Sequence, residues 1–300
     1  MYSTAHLSHS PFNLTAIDSY RRWRDIKLNG YPSLFESLIV EIRSINNITN
    51  AEKEKIKILC QKTNMAFYAG STPLERNDIK VFAKTFGLKN LDMNFLSETD
   101  NISSISVKNF PDIMRKKYKN YIPYTDQPLA WHTDGYYNPS HQLVRGMILH
   151  CVTPATVGGE STVLDPDILY IRLRDEAPEA VEILSRPDSM IIPANNETRP
   201  DRVGPVFSCD LGGRHLHMRY THRTRSIIWH REAVAAAKRL RAILDTEDVP
   251  YIFHHRLESG QGLICNNVLH ARTSFRDTPH RRRLLYRARF LERITNTSAS

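Results

Sequence analysis

Nowhere in the chain is there a Cys-X-X-Cys spacing, and its four cysteines, Cys60, Cys151, Cys209 and Cys265, lie far apart. That argues against a zinc ribbon or a disulfide scaffold and reads as reduced, mostly buried thiols. No apolar run approaches the ~20 residues that span a bilayer, so no membrane partner is expected. The opening Met1-Tyr2-Ser3-Thr4 has neither the basic n-region nor the apolar h-region of a secretory signal, and the expectation is a cytoplasmic protein. Internal repeats and low-complexity segments are missing too. Nor does charge concentrate: the formal +9 is spread over Arg21-Arg22-Trp23-Arg24, Arg115-Lys116-Lys117-Tyr118-Lys119, a central cluster and the C-terminal strand. Scattered charge suits a solvated surface or sites for small anions, so no nucleic acid is expected as partner.

What the chain does have is the composition of a soluble globular protein, with 41% hydrophobic and 24% charged residues over 300 positions. We read residues 1–300 as one domain. Residues 1–30 show no clear period and read as a variable, extended arm. Residues 31–90 read as helical: Leu34, Phe35, Leu38, Ile39, Ile42 and Ile45 recur at helical spacing between Pro32 and Ile48, and a second pattern runs from Ala51 to Met65. A third helix is marked by Thr72 as N-cap, Pro73 and Glu75, and stops at Gly87.

From about 91 to 292 the character changes to short apolar runs between turn residues. The expected strands are Leu129–Tyr136, Arg145–Val152, Ser161–Leu164, Ser189–Ile192, Val206–Cys209, His215–Tyr220, Tyr251–Arg256, Gly262–Cys265 and Arg283–Leu291. Helices near Asp167–Leu184 and Arg231–Leu244 interrupt them. The fold class expected is mainly β with flanking α-helices, a sandwich or jelly roll.

Chemistry concentrates around His132-Thr133-Asp134. On a strand, side chains at i and i+2 leave one face, so both can point at one metal ion. With a distant His, such a pair forms a facial-triad iron(II) site that keeps coordination positions open. A His-X-Asp triplet arises about once by chance in a chain of this composition. The rival His230-Arg231-Glu232 is set aside because it begins a helix, where i and i+2 diverge by about 200°. His270, at the end of a late apolar run, is the candidate third ligand. Thirteen residues later, Arg283, Leu285, Arg287 and Arg289 share a strand face by period two, unless a bulge breaks the register. A guanidinium buried there calls for an anion, and its planar fork suits a carboxylate; an edge strand with solvated arginines is the bland alternative. In Arg214–Tyr220 the alternation separates His215, His217 and Arg219 from Leu216, Met218 and Tyr220. Arg219 and Arg287 are candidate receptors for a substrate anion, and Tyr136 is a candidate pocket wall.

Taken in order, His132-X-Asp134, the Gly158-Gly159-Glu160-Ser161 turn, His270-X-Arg272 with Phe275, and Arg283-Leu284-Leu285-Tyr286-Arg287 resemble the taurine dioxygenase-like (TauD/TfdA) family of iron(II)/2-oxoglutarate oxygenases over residues 70–292. The resemblance implies a double-stranded β-helix. It implies that His132, Asp134 and His270 bind iron, that Arg283 pairs with the distal carboxylate of 2-oxoglutarate beside Ser161, and that Arg287 matches a substrate-anion position. Iron(II), 2-oxoglutarate and dioxygen are the implied cofactor and cosubstrates. The implied reaction is hydroxylation of a small polar or anionic molecule (amino acid, carboxylate, sulfonate or phosphonate), with succinate and carbon dioxide released. Desaturation is the alternative outcome. The Asp-Asn pair common before the distal His is replaced by Ile264-Cys265-Asn266-Asn267, and Pro128 stands where taurine-specific members carry a polar residue, which argues against taurine. A macromolecule-directed oxygenase and a non-catalytic jelly-roll binding protein are the other classes weighed; a homo-oligomer is left open.

Overall fold

A computed structural model describes residues 8–71, 73–93, 97–107, 121–195, 199–246 and 250–294. The expected cap Thr72 and the basic run Arg115–Lys119 lie outside them. The chain divides into two compact units, each assembled from separated segments: 1–33, 135–143 and 164–252 form the first, and 34–134, 144–163 and 253–300 the second. Among the described residues no helix is long and apolar enough to cross a membrane.

In the second unit a six-stranded sheet runs in the order Ile39–Ile42, Met65–Gly70, Gln261–Cys265, Gly146–Thr153, Leu284–Phe290, Ser103–Ile105. The first pair is parallel and the others antiparallel. Because side chains alternate along a strand, the register sorts the sheet into two faces. Ala66, Ile264, Ile148 and Ala288 lie in one row across it. They pack with Ile56 and Cys60 of the Asn50–Thr63 helix and Ile79 and Phe82 of the Asp78–Lys84 helix in one apolar cluster. The next row on that face holds Tyr68 and His150 either side of Gly262, where a Cβ would come within 2.3 Å of the Tyr68 ring. The absent side chain lets the Tyr68 hydroxyl meet His150 Nδ1 at 2.9 Å. The opposite face carries Met147 and Leu149 in register with Arg289 and Arg287. A second, four-stranded sheet runs in the order Phe253–His255, Ser161–Leu164, Leu269–Arg272, Leu129–His132.

The first unit holds helices Ile17–Leu28, Pro166–Glu176, Pro178–Leu184 and Ala233–Asp245 and two small sheets. Phe12, Trp23, Tyr170 and Phe207 meet edge to face in its core.

Several expectations need correction. The 1–30 arm contains the Ile17–Leu28 helix. Its period was hidden because the buried positions are Tyr20 and Lys27 rather than aliphatic residues. Lys27 Nζ lies 2.7 Å from both Asp165 and Asp167, an ion cluster that hydrophobic patterning cannot register. The 32–48 helix does not form: short 3₁₀ turns flank the strand Ile39–Ile42, which buries Val40 and Ile42. Spacings of three between isoleucines fit a helix, but the β-branched run pairs with Met65–Gly70 instead. The third helix begins at Asp78, well after Pro73. The Asp167–Leu184 helix is two helices, broken at Ala177 because Pro178 restricts the residue before it. Of the cysteines, Cys60, Cys151 and Cys265 are buried, Cys209 is exposed, and all four are free.

Candidate metal centre

His132 ends the strand Leu129–His132, and His270 sits directly across from it on Leu269–Arg272. Their ring centroids are 4.1 Å apart. Each ring is anchored the same way: His132 Nδ1 lies 2.9 Å from Ala130 O and His270 Nδ1 2.9 Å from Val268 O. A carbonyl can only accept, so both Nδ1 atoms carry the proton and both Nε2 lone pairs are left for a cation. Burial, then the neighbouring His270, pulls His132 down to about 3, and burial lowers His270 as well. Both rings are therefore neutral near pH 7, the form that ligates.

The expected strand to Tyr136 stops at His132, and Asp134 opens a turn. Strand alternation therefore does not aim its carboxylate. Asn267, at φ 53°, accepts from Asp134 N–H at 2.8 Å and donates to Asp134 O at 2.9 Å and to Val144 O at 2.7 Å. Gly135 follows at φ 67°, a conformation costly for a side-chain-bearing residue. Arg287 Nη1 donates to Asp134 Oδ1 at 3.0 Å, with Arg289 Nη1 3.9 Å from the same oxygen. Burial opposes ionisation of Asp134, but the two guanidiniums outweigh it and hold the group below the usual carboxylate range. Asp134 Oδ2 is buried without a hydrogen-bond partner.

The three side chains thus bring one ligand atom each within 4.8 Å of one another. A buried anionic oxygen with no donor, beside two aimed imidazole lone pairs, fits a divalent cation.

Arg283 precedes the strand Leu284–Phe290, and the register shift at Leu284/Leu285 skips Val152 on the partner strand, so Arg283, Leu285, Arg287 and Arg289 keep their alternation and are all buried. The Arg283 side chain is 4% exposed and lines a cavity with Ser161, Arg256 and apolar Pro154, Ala155, Leu257 and Leu285. Arg283 Nη1 is buried with no partner. Burial lowers the guanidinium to about 10, which still leaves it charged. Two guanidiniums lie against the Phe275 ring, Arg283 Cζ 4.9 Å and Arg272 Cζ 4.8 Å from its centroid. The close turn is made by Gly158, at φ 72°, where a Cβ would sit 2.3 Å from Ser274 O. A carboxylate fits this corner because it would satisfy the orphaned Nη1.

Arg219 and Tyr136 belong to the first unit. Arg219 is buried rather than solvated, and its Nε and Nη2 donate to Tyr136 O and Arg202 O, each at 2.6 Å. The rival triplet also differs from expectation: the helix begins at Ala233, past His230, and Glu232 is engaged by Arg186. Sequence reasoning missed the clamp made by Asn267. The Asn266-Asn267 pair was a usable signal, since Asn tolerates the left-handed backbone a clamp requires.

A family model for taurine catabolism dioxygenase TauD, TfdA family, matches residues 29–289. A uridine-5'-phosphate dioxygenase from Streptomyces sp is 34% identical over 174 residues, 55% of this chain, and the match spans 62% of that relative's length. Among solved structures, AAD-2 in complex with Mn(II) and N-oxalylglycine superposes with a TM-score of 0.61 at 12% identity, covering 88% of this chain and 99% of that one. A taurine dioxygenase from Burkholderia xenovorans gives 0.59 at 16% identity, covering 85% and 86%. At these identities the structures speak to fold alone, whereas the family model covers most of the chain. The chain therefore belongs to the taurine catabolism dioxygenase TauD/TfdA family.

Proposed function

We propose that the chain is an iron(II)- and 2-oxoglutarate-dependent dioxygenase that hydroxylates a C–H bond of a small polar or anionic molecule. The observation that carries this reading is the convergence of His132, Asp134 and His270, with Asp134 Oδ2 left orphaned among them. His132 Nε2, His270 Nε2 and Asp134 Oδ2 would hold iron. Arg283 and Ser161 would receive the distal carboxylate of 2-oxoglutarate in their shared cavity. The six- and four-stranded sheets are read as the two sheets of a jelly roll. Bound iron with 2-oxoglutarate and dioxygen supplies the oxidising chemistry, one oxygen atom ending in succinate as carbon dioxide leaves and the other in the hydroxylated product.

The chain's own residues bind, orient and exclude water. The Nδ1 anchors stop either imidazole from turning its protonated nitrogen inward. Phe275 limits the freedom of the Arg283 guanidinium, and the apolar lining of its cavity keeps water from competing with a carboxylate there. The uridine-5'-phosphate dioxygenase relative supports an anionic substrate, and the buried Arg287 supplies cationic character that such a substrate would meet. The reading expects a cytoplasmic enzyme acting on a small molecule.

Full-length protein reconstituted anaerobically with iron(II) and 2-oxoglutarate is expected to show the metal-to-ligand charge-transfer absorption, and His132→Ala to lose it. Folded wild-type protein without that band would remove the assignment. Succinate release, screened with nucleoside monophosphates, amino acids, sulfonates and short carboxylic acids, then identifies the substrate class.

A further inference from the structure

We propose that Asn267 and Arg287 brace Asp134 as a one-oxygen ligand, keeping the face opposite the three protein ligands open for a chelating cosubstrate. The inference rests on the reading of His132, Asp134 and His270 as iron ligands.

A carboxylate can hold a cation with one oxygen or two. The two-oxygen mode would occupy a position that a cosubstrate chelating through two atoms needs. In this chain the choice is made before any cation arrives. Asn267 spends its side-chain amide on the backbone, taking Asp134 N–H and returning a proton to Asp134 O, so the peptide cannot swing. Its third bond, to Val144 O, ties that clamp to the residue two before Gly146, where the central strand begins. Arg287 Nη1 then claims Oδ1, and Arg289 adds positive charge on the same side. Only Oδ2 lacks a partner. The brace is rigid: Arg287 sits within the six-stranded sheet opposite Leu149, and Asn267 and Arg287 are 3% and 7% exposed.

This differs from the role of substrate-anion receptor that the resemblance implies for Arg287, a role its unpartnered Nε would suit. The two readings separate when no substrate is present. Removing a guanidinium beside a cation site favours the cation electrostatically, and a released Oδ1 adds a second bond. Loss of the brace is therefore expected to change coordination mode rather than to weaken metal binding.

The test loads full-length protein with Mn(II) and counts exchangeable waters from the broadening of its EPR lines in isotopically enriched water. Arg287→Gln is expected to bind Mn(II) at least as tightly as wild type, to carry one exchangeable water fewer, and to bind 2-oxoglutarate more weakly. Asn267→Gly adopts the left-handed backbone freely and keeps every charge. It is expected to lose a water in the same way, and it decides the question if Arg287→Gln fails to fold. An unchanged water count in both folded variants overturns the brace. Failure of wild type to bind Mn(II) at all overturns the reading of the site itself.

Discussion

Two buried charge clusters, one in each unit, look alike in composition and differ in what they leave unsatisfied. In the first unit, Lys27 Nζ sits 2.7 Å from both Asp165 and Asp167, Tyr31 OH reaches Asp165 at 3.2 Å, and Asp165 caps its own helix through Asp167 N–H. Burial draws the Lys27 ammonium down, yet the two carboxylates more than reverse it and its pKa is raised. In the second unit, Arg287 and Arg289 face Asp134, and one oxygen of that carboxylate has no donor. The first cluster closes on itself and holds a helix in place. The second is left short of one partner at Asp134 Oδ2, the feature on which the proposed metal site rests.

The largest test of this contrast is Lys27→Met, which strands two carboxylates in the core. It is expected to cost about 3–5 kcal/mol by urea denaturation. A cost below about 1 kcal/mol, the range of an exposed pair, would show that the cluster is not closed.

A pH effect comes next, from another closed arrangement. His150 accepts from Leu74 N–H at Nε2, so its proton sits on Nδ1 toward the Tyr68 hydroxyl, and burial lowers it to about 4. Its folded pKa lies below the unfolded value near 6.5, so the unfolded chain binds the extra proton. The stability it contributes is complete above about pH 6.5 and is lost as pH falls toward 4, on the order of 3 kcal/mol. His150→Gln is expected to flatten that part of a stability-against-pH curve.

The smallest expected effect falls on the open cluster. Mn(II) at one hundred times its dissociation constant should stabilise wild type by about 2.7 kcal/mol, and Asp134→Ala by nothing measurable. Lys27→Met should keep the wild-type increment, since the closed cluster has nothing to offer a cation.

Much of the site was legible because its chemistry is written locally. His132 and Asp134 stand two residues apart, and His270 and Arg283 follow in an order that few unrelated chains share. Strand alternation alone does not account for the pair, since the strand ends at His132 and Asn267 aims Asp134. Arg287 shows the same limit. Period two placed it on the face with Arg289, but no period says whether a guanidinium meets a substrate or a neighbouring carboxylate. The Ile17–Leu28 helix escaped notice because its buried contacts are ionic and aromatic, and the Ile39–Ile42 strand because isoleucines three apart satisfy two periods at once.

By itself the amino-acid sequence determined the types of the residues that converge at the candidate site, their order along the chain, the alternation that buries the arginine strand and the wide spacing of its cysteines. These follow from residue identity and spacing, which local geometry translates directly. Only the tertiary structure decided that Asn267 grips Asp134 across 133 positions, that Arg287 takes Oδ1 across 153, and that Oδ2 is the atom left over. A hydrogen bond is a matter of ångströms and direction, and residues that far apart in the chain acquire both only when the sheets pair.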